Sequence, residues 1–194
     1  MPQRTARLLL DPTNADDLDA LHEIYGDART WTHLPTGRHR DRDRTAEVLE
    51  RWLDDLRSEG FGAWTIREAA APELVIGHGG CAVRGRAAGA HDDAARDAGA
   101  YWNLGYRFRP EAQGRGLATE LSRAAVEAAR LRRPGLPIVA YLLEHNTASA
   151  RVAEKVGLTL RHRAPDAGNP DASAIRLVYA DRELTAAQLA ATLA

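Results

Sequence analysis

The chain has 194 residues, of which 44% are hydrophobic and 27% charged, and its formal net charge at pH 7 is −1. These values are typical of one globular domain, predicted over residues 1–194, and favour neither a nucleic-acid nor a membrane partner. No apolar run approaches the roughly 18 residues of a membrane span, and the start lacks a signal-peptide core. The single cysteine, Cys81, excludes an intrachain disulfide and fits a reducing compartment, so we expect a cytoplasmic protein.

Apolar spacing and turn residues predict alternating strands and helices along the chain. The predicted elements are a strand at 6–10, a helix from 16, a second helix ended by Gly60, strands at 61–68 and 74–83, a long exposed loop at 84–98, a strand at 99–108, a helix at 118–132, a strand at 138–143, a helix at 148–156 closed by Gly157, strands at 158–163 and 174–180, and a helix at 185–193. This order predicts one mixed sheet with helices on both faces, in an α/β or α+β arrangement.

The most informative segment is YRFRPEAQGRGLATEL, residues 106–121, which runs from a strand through a loop into a helix. Such a junction brings free backbone N–H groups to the positive end of a helix dipole, which suits a phosphate group. Gly114 and Gly116 allow close backbone approach, and Arg115 is placed to add a charged contact. On glycine content alone, a tight strand-to-helix turn without a ligand explains the pattern equally well. The segment matches neither GxGxxG nor GxxxxGK followed by Ser or Thr.

The run Gln113-Gly114-Arg115-Gly116-Leu117-Ala118 resembles the pyrophosphate signature Q/R-x-x-G-x-G/A of the GNAT acetyltransferase superfamily. Downstream, HNTASARVAEKVGL resembles the helix of that superfamily that reads N-x-x-S-x-x-(apolar)-x-x-K-x-G. Thr119-Glu120 and the opening ARLLLDPTN are similar to the branch that acetylates ribosomal-protein N-termini. The resemblance implies one mostly antiparallel sheet of about six to seven strands, with the fourth and fifth strands splayed apart.

The resemblance also implies acetyl-CoA as co-substrate, held mainly by the backbone of one loop. The residues it assigns to the cofactor are Phe108, Gln113, Gly114, Arg115, Gly116, Leu117, Ala118, Thr119, Asn146 and Ser149. Loop residues 113–119 would hold the pyrophosphate, and Phe108, Asn146 and Ser149 would lie along the pantetheine arm. We infer no metal, since the histidines lack ligand spacing and there are no cysteine pairs.

The catalytic groups of the superfamily are only partly present. Ala153 stands where many members have a tyrosine acid, and residues 101–103 (Tyr-Trp-Asn) lack the glutamate base of some members. Ser149 is the substitute acid that the ribosomal-protein branch implies, although an ordinary helix residue is an equal reading. Glu144 is a candidate base, against the reading of a surface carboxylate, and His145 and His33 are further candidates.

Acceptor recognition in the superfamily comes from the first two helices, the loop between them and a late strand hairpin. The candidate acceptor residues are therefore aromatic or imidazole side chains: Trp31, His33, Trp64 and Trp102. Each tryptophan is open to the alternative of a core position. The expected function is acetyl transfer to a small-molecule amine or peptide N-terminus, by a monomer or homodimer. The alternative is a catalytically weak module that binds acyl-CoA as a sensor or interaction domain.

Overall fold

A computed structural model describes residues 2–87, 89 and 92–194. The chain forms two compact units, one of Met1–Ala82 with Gly105–Ala125 and one of Val83–Leu104 with Val126–Ala194. The strands form a mixed, mostly antiparallel α/β sheet, which confirms the predicted fold class. Within the residues that the structure describes, the sheet contains eight strands, somewhat more than the six to seven predicted.

The strands are β1 (Gln3–Arg4), β2 (Leu8–Pro12), β3 (Ala63–Glu68), β4 (Ala71–Arg84), β5 (Tyr101–Phe108), β6 (Ile138–Leu143), β7 (Thr159–Pro165) and β8 (Ile175–Ala180). The α-helices are α1 (Leu18–Tyr25), α2 (Arg42–Glu59), α3 (Asp93–Asp97), α4 (Leu117–Arg132), α5 (Thr147–Lys155) and α6 (Ala186–Leu193). Within the described residues, no helix combines the length and apolar character needed to cross a membrane.

In the first unit, β1, β2, β3 and β4 pair antiparallel in chain order. Leu8 and Leu10 of β2 are fully buried, as alternation on a half-buried strand requires. The carboxylate of Asp41 caps α2 by accepting from the N–H of Arg44. The helix ends at Glu59, and the predicted stop Gly60 follows it in the left-handed conformation, with φ of 62°.

In the second unit, the order is β5, β6, β8, β7. The parallel pair β5 and β6 is in register only at Trp102–Ile138 and Asn103–Val139, which is the short pairing expected of splayed strands. The bounds of β6 coincide with the predicted apolar run at 138–143. It pairs antiparallel with β8 over five positions. Gly157, with φ of 86°, follows α5 as predicted.

Two sequence predictions of secondary structure were wrong in detail. The first core strand is Leu8–Pro12 rather than residues 6–10, and the two-residue strand β1 precedes it. The loop predicted at 84–98 contains the short helix α3, capped by the carboxylate of Asp92. β1 is only two residues long and α3 is mostly polar. Strand pairing and helix capping therefore determine where they form, and neither leaves an apolar pattern in the sequence.

Candidate functional site

The predicted phosphate loop joins β5 to α4 in the first unit. After Phe108 a single 3-10 turn, Pro110–Ala112, leads to Gln113, and α4 begins at Leu117. Gly114 and Gly116 have φ values of 71° and 78°, a region that residues with a side chain rarely adopt. The two glycines therefore allow the turn that leads the chain into the first turn of α4.

The loop presents backbone donors to solvent. Residues 113–116 are exposed, and no described residue accepts a hydrogen bond from the backbone N–H of residues 114–119. The side chain of Gln113 instead donates to the carbonyl of Phe108 at 3.0 Å, which fixes the strand end against the loop. Unpaired N–H groups together with the dipole of a 16-residue helix are the chemical features that favour an anion at this loop.

Two arginines stabilise the loop from the side of the N-terminal strands. Arg115 donates from both terminal nitrogens to Glu68, at 2.7 and 2.6 Å. Arg7 donates to the backbone carbonyl of Arg115 and to both carboxylate oxygens of Glu120 through its backbone and side chain. The charge of Arg115 is thus directed at a carboxylate, so the unpaired donors of this loop are backbone N–H groups.

A second group of side chains in the first unit forms what we call the aromatic cluster: Tyr25, Trp31, His39, Trp52 and His78. Their ring centroids lie 4.1–6.1 Å from one another in successive pairs. The Trp31 indole donates to the carbonyl of Tyr25 at 2.6 Å, and the Tyr25 hydroxyl lies 2.9 Å from Nδ1 of His78. The guanidinium of Arg107 lies 3.3 Å from the Trp31 ring centroid.

Glycines on β4 determine which side chains reach this cluster. A Cβ at Gly77 would lie 2.6 Å from the ring of Phe108, and one at Gly79 would lie 2.5 Å from Tyr106. Both contacts are shorter than real Cβ contacts, so these two positions accept only glycine while the aromatic residues of β5 lie beside them. His78 lies between the glycines, and strand alternation turns it to the opposite face, as it does Arg107 between Tyr106 and Phe108.

The imidazoles of the cluster are held neutral by their surroundings. Burial lowers the pKa of His78 to about 3, and burial lowers the pKa of His39 to about 4, with nearby arginines contributing. Burial raises the pKa of the Tyr25 hydroxyl to about 12. Among Tyr25, His39, His78 and Arg107, the guanidinium is therefore the one charged group at neutral pH.

The buried neutral His78 predicts a loss of stability in acid. Because its pKa is about 3 in the folded chain and about 6.5 when unfolded, the unfolded state binds the extra proton below pH 6.5. His78 alone should lower the free energy of unfolding by about 2 kcal/mol between pH 7 and pH 5. Denaturant unfolding at both pH values measures this change.

The matched comparison is His78→Gln against His145→Gln, since His145 is exposed. His78→Gln should flatten the dependence of the unfolding free energy on pH over this range more than His145→Gln does. An identical pH dependence in wild type and His78→Gln would contradict the assignment.

The four candidate acceptor residues lie in different surroundings. Trp31 belongs to the aromatic cluster, and His33 stacks on it with ring planes 18° apart. Trp64 is 2% exposed and packs edge-on against Phe61, and Trp102 is fully buried. The structure therefore groups Trp31 with His33 and places Trp64 and Trp102 in the core.

In the second unit, Asn146 and Ser149 lie at the start of α5, and the candidate base Glu144 precedes them. The Asn146 side chain caps this helix by accepting from the N–H of Ser149 at 3.2 Å. Ser149 is partly buried, and Ala153, 2% exposed, lies one turn further along the same face.

The candidate base Glu144 is exposed and receives two hydrogen bonds from Arg163 at 2.7 and 3.0 Å. This contact lowers the Glu144 pKa, which makes the carboxylate a weaker base.

The fold and the loop agree with what comparisons with known proteins find. The sequence profile of the family described as an acetyltransferase (GNAT) domain matches residues 7–159. The chain belongs to the GNAT acetyltransferase family. This finding confirms the resemblance on which the sequence interpretation depended, and a search of curated proteins gave no significant match.

Solved structures show the same fold in other GNAT-type enzymes. An acetyltransferase from Agrobacterium tumefaciens is 26% identical, with a TM-score of 0.69, over 94% of this chain and 95% of the other. A GNAT-family acetyltransferase from Bacillus anthracis is 20% identical, with a TM-score of 0.69, over 93% and 97%. RimL, an alpha-N-acetyltransferase of a ribosomal protein, was solved with coenzyme A and is 18% identical, with a TM-score of 0.67, over 93% and 96%.

Sequence reasoning missed Tyr25, His78 and Arg107 as possible functional residues. His78 had a usable signal, because it is the one polar side chain in the run Val75–Val83, with glycines on both sides. Arg107 could not be singled out from the sequence, because nearly all basic residues of this chain are arginines. Over residues 2–87, 89 and 92–194, no three His, Cys, Asp or Glu side chains are grouped so as to hold a metal ion.

Proposed function

We propose that this GNAT family member is an N-acetyltransferase that transfers the acetyl group of acetyl-CoA to a primary amine. The observation that carries the proposal is the exposed loop with unpaired N–H groups at the start of α4, within the segment that the family profile matches. In this proposal residues 1–194 act as one acetyltransferase domain. The pyrophosphate lies against the backbone of residues 113–119, and Phe108, Asn146 and Ser149 lie along the pantetheine arm.

The chemistry proposed is direct attack of a neutral amine on the thioester within a ternary complex. The C–N bond forms as the C–S bond breaks, the amine loses one proton to a base or water, and coenzyme A leaves as the thiolate. No strong base is required, because the attacking species is the neutral amine. Ser149 is proposed to assist departure of the thiolate, and Glu144 remains a proposed base whose basicity the contact with Arg163 reduces.

The test is release of the coenzyme A thiol from acetyl-CoA, followed with a thiol reagent over a panel of small amines and N-terminal peptides. We expect release that depends on an amine and yields the N-acetyl product by mass spectrometry. Binding of acetyl-CoA in calorimetry without turnover on any amine would favour the sensor module instead. Absence of both binding and turnover would contradict the proposed function.

A further inference from the structure

A partly buried cation, Arg107, lies against the aromatic cluster and has no counterion among the residues that the structure describes. Arg107 extends from β5 over Trp31 and Tyr25, at 3.3 and 5.7 Å from the ring centroids. Its Nη1 donates to the backbone carbonyl of Thr30. No described carboxylate pairs with it, and burial lowers its pKa to about 10. A desolvated charge without a counterion is costly, and the described contacts that compensate Arg107 are the Thr30 carbonyl and two aromatic rings.

The neighbouring arginines of the same unit show that carboxylates are available nearby but are used elsewhere. Arg29, far more exposed, is paired with Asp27 at 2.6 Å and with Glu111 at 2.9 Å. Arg109, two residues after Arg107, is paired with Glu23 at 2.5 Å. Arg29 and Arg109 therefore each have a carboxylate partner, and Arg107 has none among the described residues.

The atoms of Arg107 that remain unbonded form its bidentate edge. Its Nε is buried without a hydrogen-bond partner among the described residues. Its Nη2 makes no hydrogen bond to them either and keeps contact with solvent. Nε and Nη2 together offer the two parallel N–H groups that carboxylates and phosphates accept. The Nε2 atom of His78, 2% exposed, is a second buried polar atom of the cluster without a partner.

We propose that Arg107 binds an oxyanion, a carboxylate or phosphate, carried by the acceptor amine, so that this enzyme acetylates anionic amines. The inference rests on the proposed function, because it assigns the acceptor that the transferase uses. An oxyanion at the Nε–Nη2 edge pairs the partly buried charge, while the face of the guanidinium stays on Trp31. The neutral imidazoles of His39 and His78 leave Arg107 as the charge that selects the acceptor.

A binding experiment tests the site without requiring turnover. The probes are N-acetylglycine, its neutral amide N-acetylglycinamide, and inorganic phosphate, each titrated into protein saturated with coenzyme A, so that loop 113–119 is occupied, while Tm is measured at constant ionic strength. We expect concentration-dependent stabilisation of the wild type by the carboxylate or by phosphate, and none by the amide. The better of the two anions identifies the oxyanion. Stabilisation should be absent in Arg107→Gln and retained in Arg29→Gln, which removes an exposed, paired arginine. Equal response to the amide, or none to either anion, would overturn the proposal.

Kinetics with matched acceptors separates this proposal from the proposed function. The pairs are glycine with glycinamide, and O-phosphoethanolamine with ethanolamine. Loss of a charged bidentate contact should raise KM for the preferred anionic acceptor by about 10- to 100-fold in Arg107→Gln, with a smaller rise in Arg107→Lys. Acetyl-CoA affinity should stay unchanged, and KM for the neutral amines should rise far less than KM for the anionic acceptor. If wild type prefers the neutral amines, the acceptor assignment is wrong although transfer stands. If no amine is acetylated while the anions bind, the proposed function is wrong although the oxyanion site stands.

Discussion

Replacing Gly116 with glutamate is expected to reduce acetyl-CoA affinity by at least about 100-fold, or roughly 2.7 kcal/mol. Two physical effects act together at this position. The φ of 78° disfavours any residue with a Cβ, so the loop shifts from its native conformation. The added carboxylate also places a negative charge where the unpaired N–H groups of the loop are proposed to meet the pyrophosphate. Calorimetric titration with acetyl-CoA measures the loss.

Gly168 provides a matched control because its φ of 79° is nearly the same and no atom lies within 4 Å of a Cβ built there. Gly168→Glu therefore adds comparable backbone strain and the same charge outside the loop, and it should leave acetyl-CoA affinity close to that of the wild type. Gly114→Glu, at φ of 71°, should behave as Gly116→Glu does. Unchanged affinity in a folded Gly116→Glu protein would show that the cofactor lies elsewhere.

The parts of the fold that sequence predicted well are those that local patterns determine. The run Ile138–Leu143 is almost wholly apolar and follows Pro137, and its predicted bounds coincide with β6. Gly60 and Gly157 were predicted as helix stops, and both adopt the left-handed conformation that such stops require. In each case a short stretch of residues contains all the physical information that is needed.

The elements that were missed depend on distant partners. Gln3 and Arg4 are polar and exposed, and they form a strand only because Leu9 and Leu10 pair with them. The helix Asp93–Asp97 has no buried residue and is stabilised by the aspartate that caps it, Asp92. Neither feature produces an apolar period, so no pattern analysis of the sequence detects it.

The candidate site divides in the same way. The phosphate loop was predicted because its glycines and the helix that follows are contiguous. Of the aromatic cluster, only Trp31 was named from the sequence. Tyr25 and His78 are 53 residues apart and meet only through the packing of α1 on β4. Trp64 and Trp102 were named as candidate acceptor residues and lie in the core. A tryptophan in the sequence does not by itself distinguish a pocket position from a core position.

Removing the hydroxyl of Ser149 is expected to lower kcat by about 10-fold or more, while acetyl-CoA affinity stays within about twofold of wild type. Ser149 occupies the first turn of α5, where the Asn146 cap holds its backbone in place, and Ala153 leaves the next position on that face without a hydroxyl. A serine is a poor acid, so its proposed role is to donate a hydrogen bond to the departing thiolate or to a water beside it. Such a contact is made mainly in the transition state, which is why kcat should change and binding should not.

Steady-state kinetics of Ser149→Ala with calorimetry of acetyl-CoA binding distinguishes this role from a structural one. The control is Ser58→Ala, which removes a hydroxyl from an exposed position of α2, where it donates to a backbone carbonyl at 3.2 Å. If Ser149→Ala keeps kcat within about twofold, Ser149 is an ordinary helix residue, because a lost transition-state contact must appear in kcat. Introducing Ala153→Tyr into Ser149→Ala offers a phenol one helical turn further on the same face. Recovery of kcat in that double variant would show that the vacant role is proton or hydrogen-bond donation to sulfur, because the added phenol restores a donor without restoring Ser149.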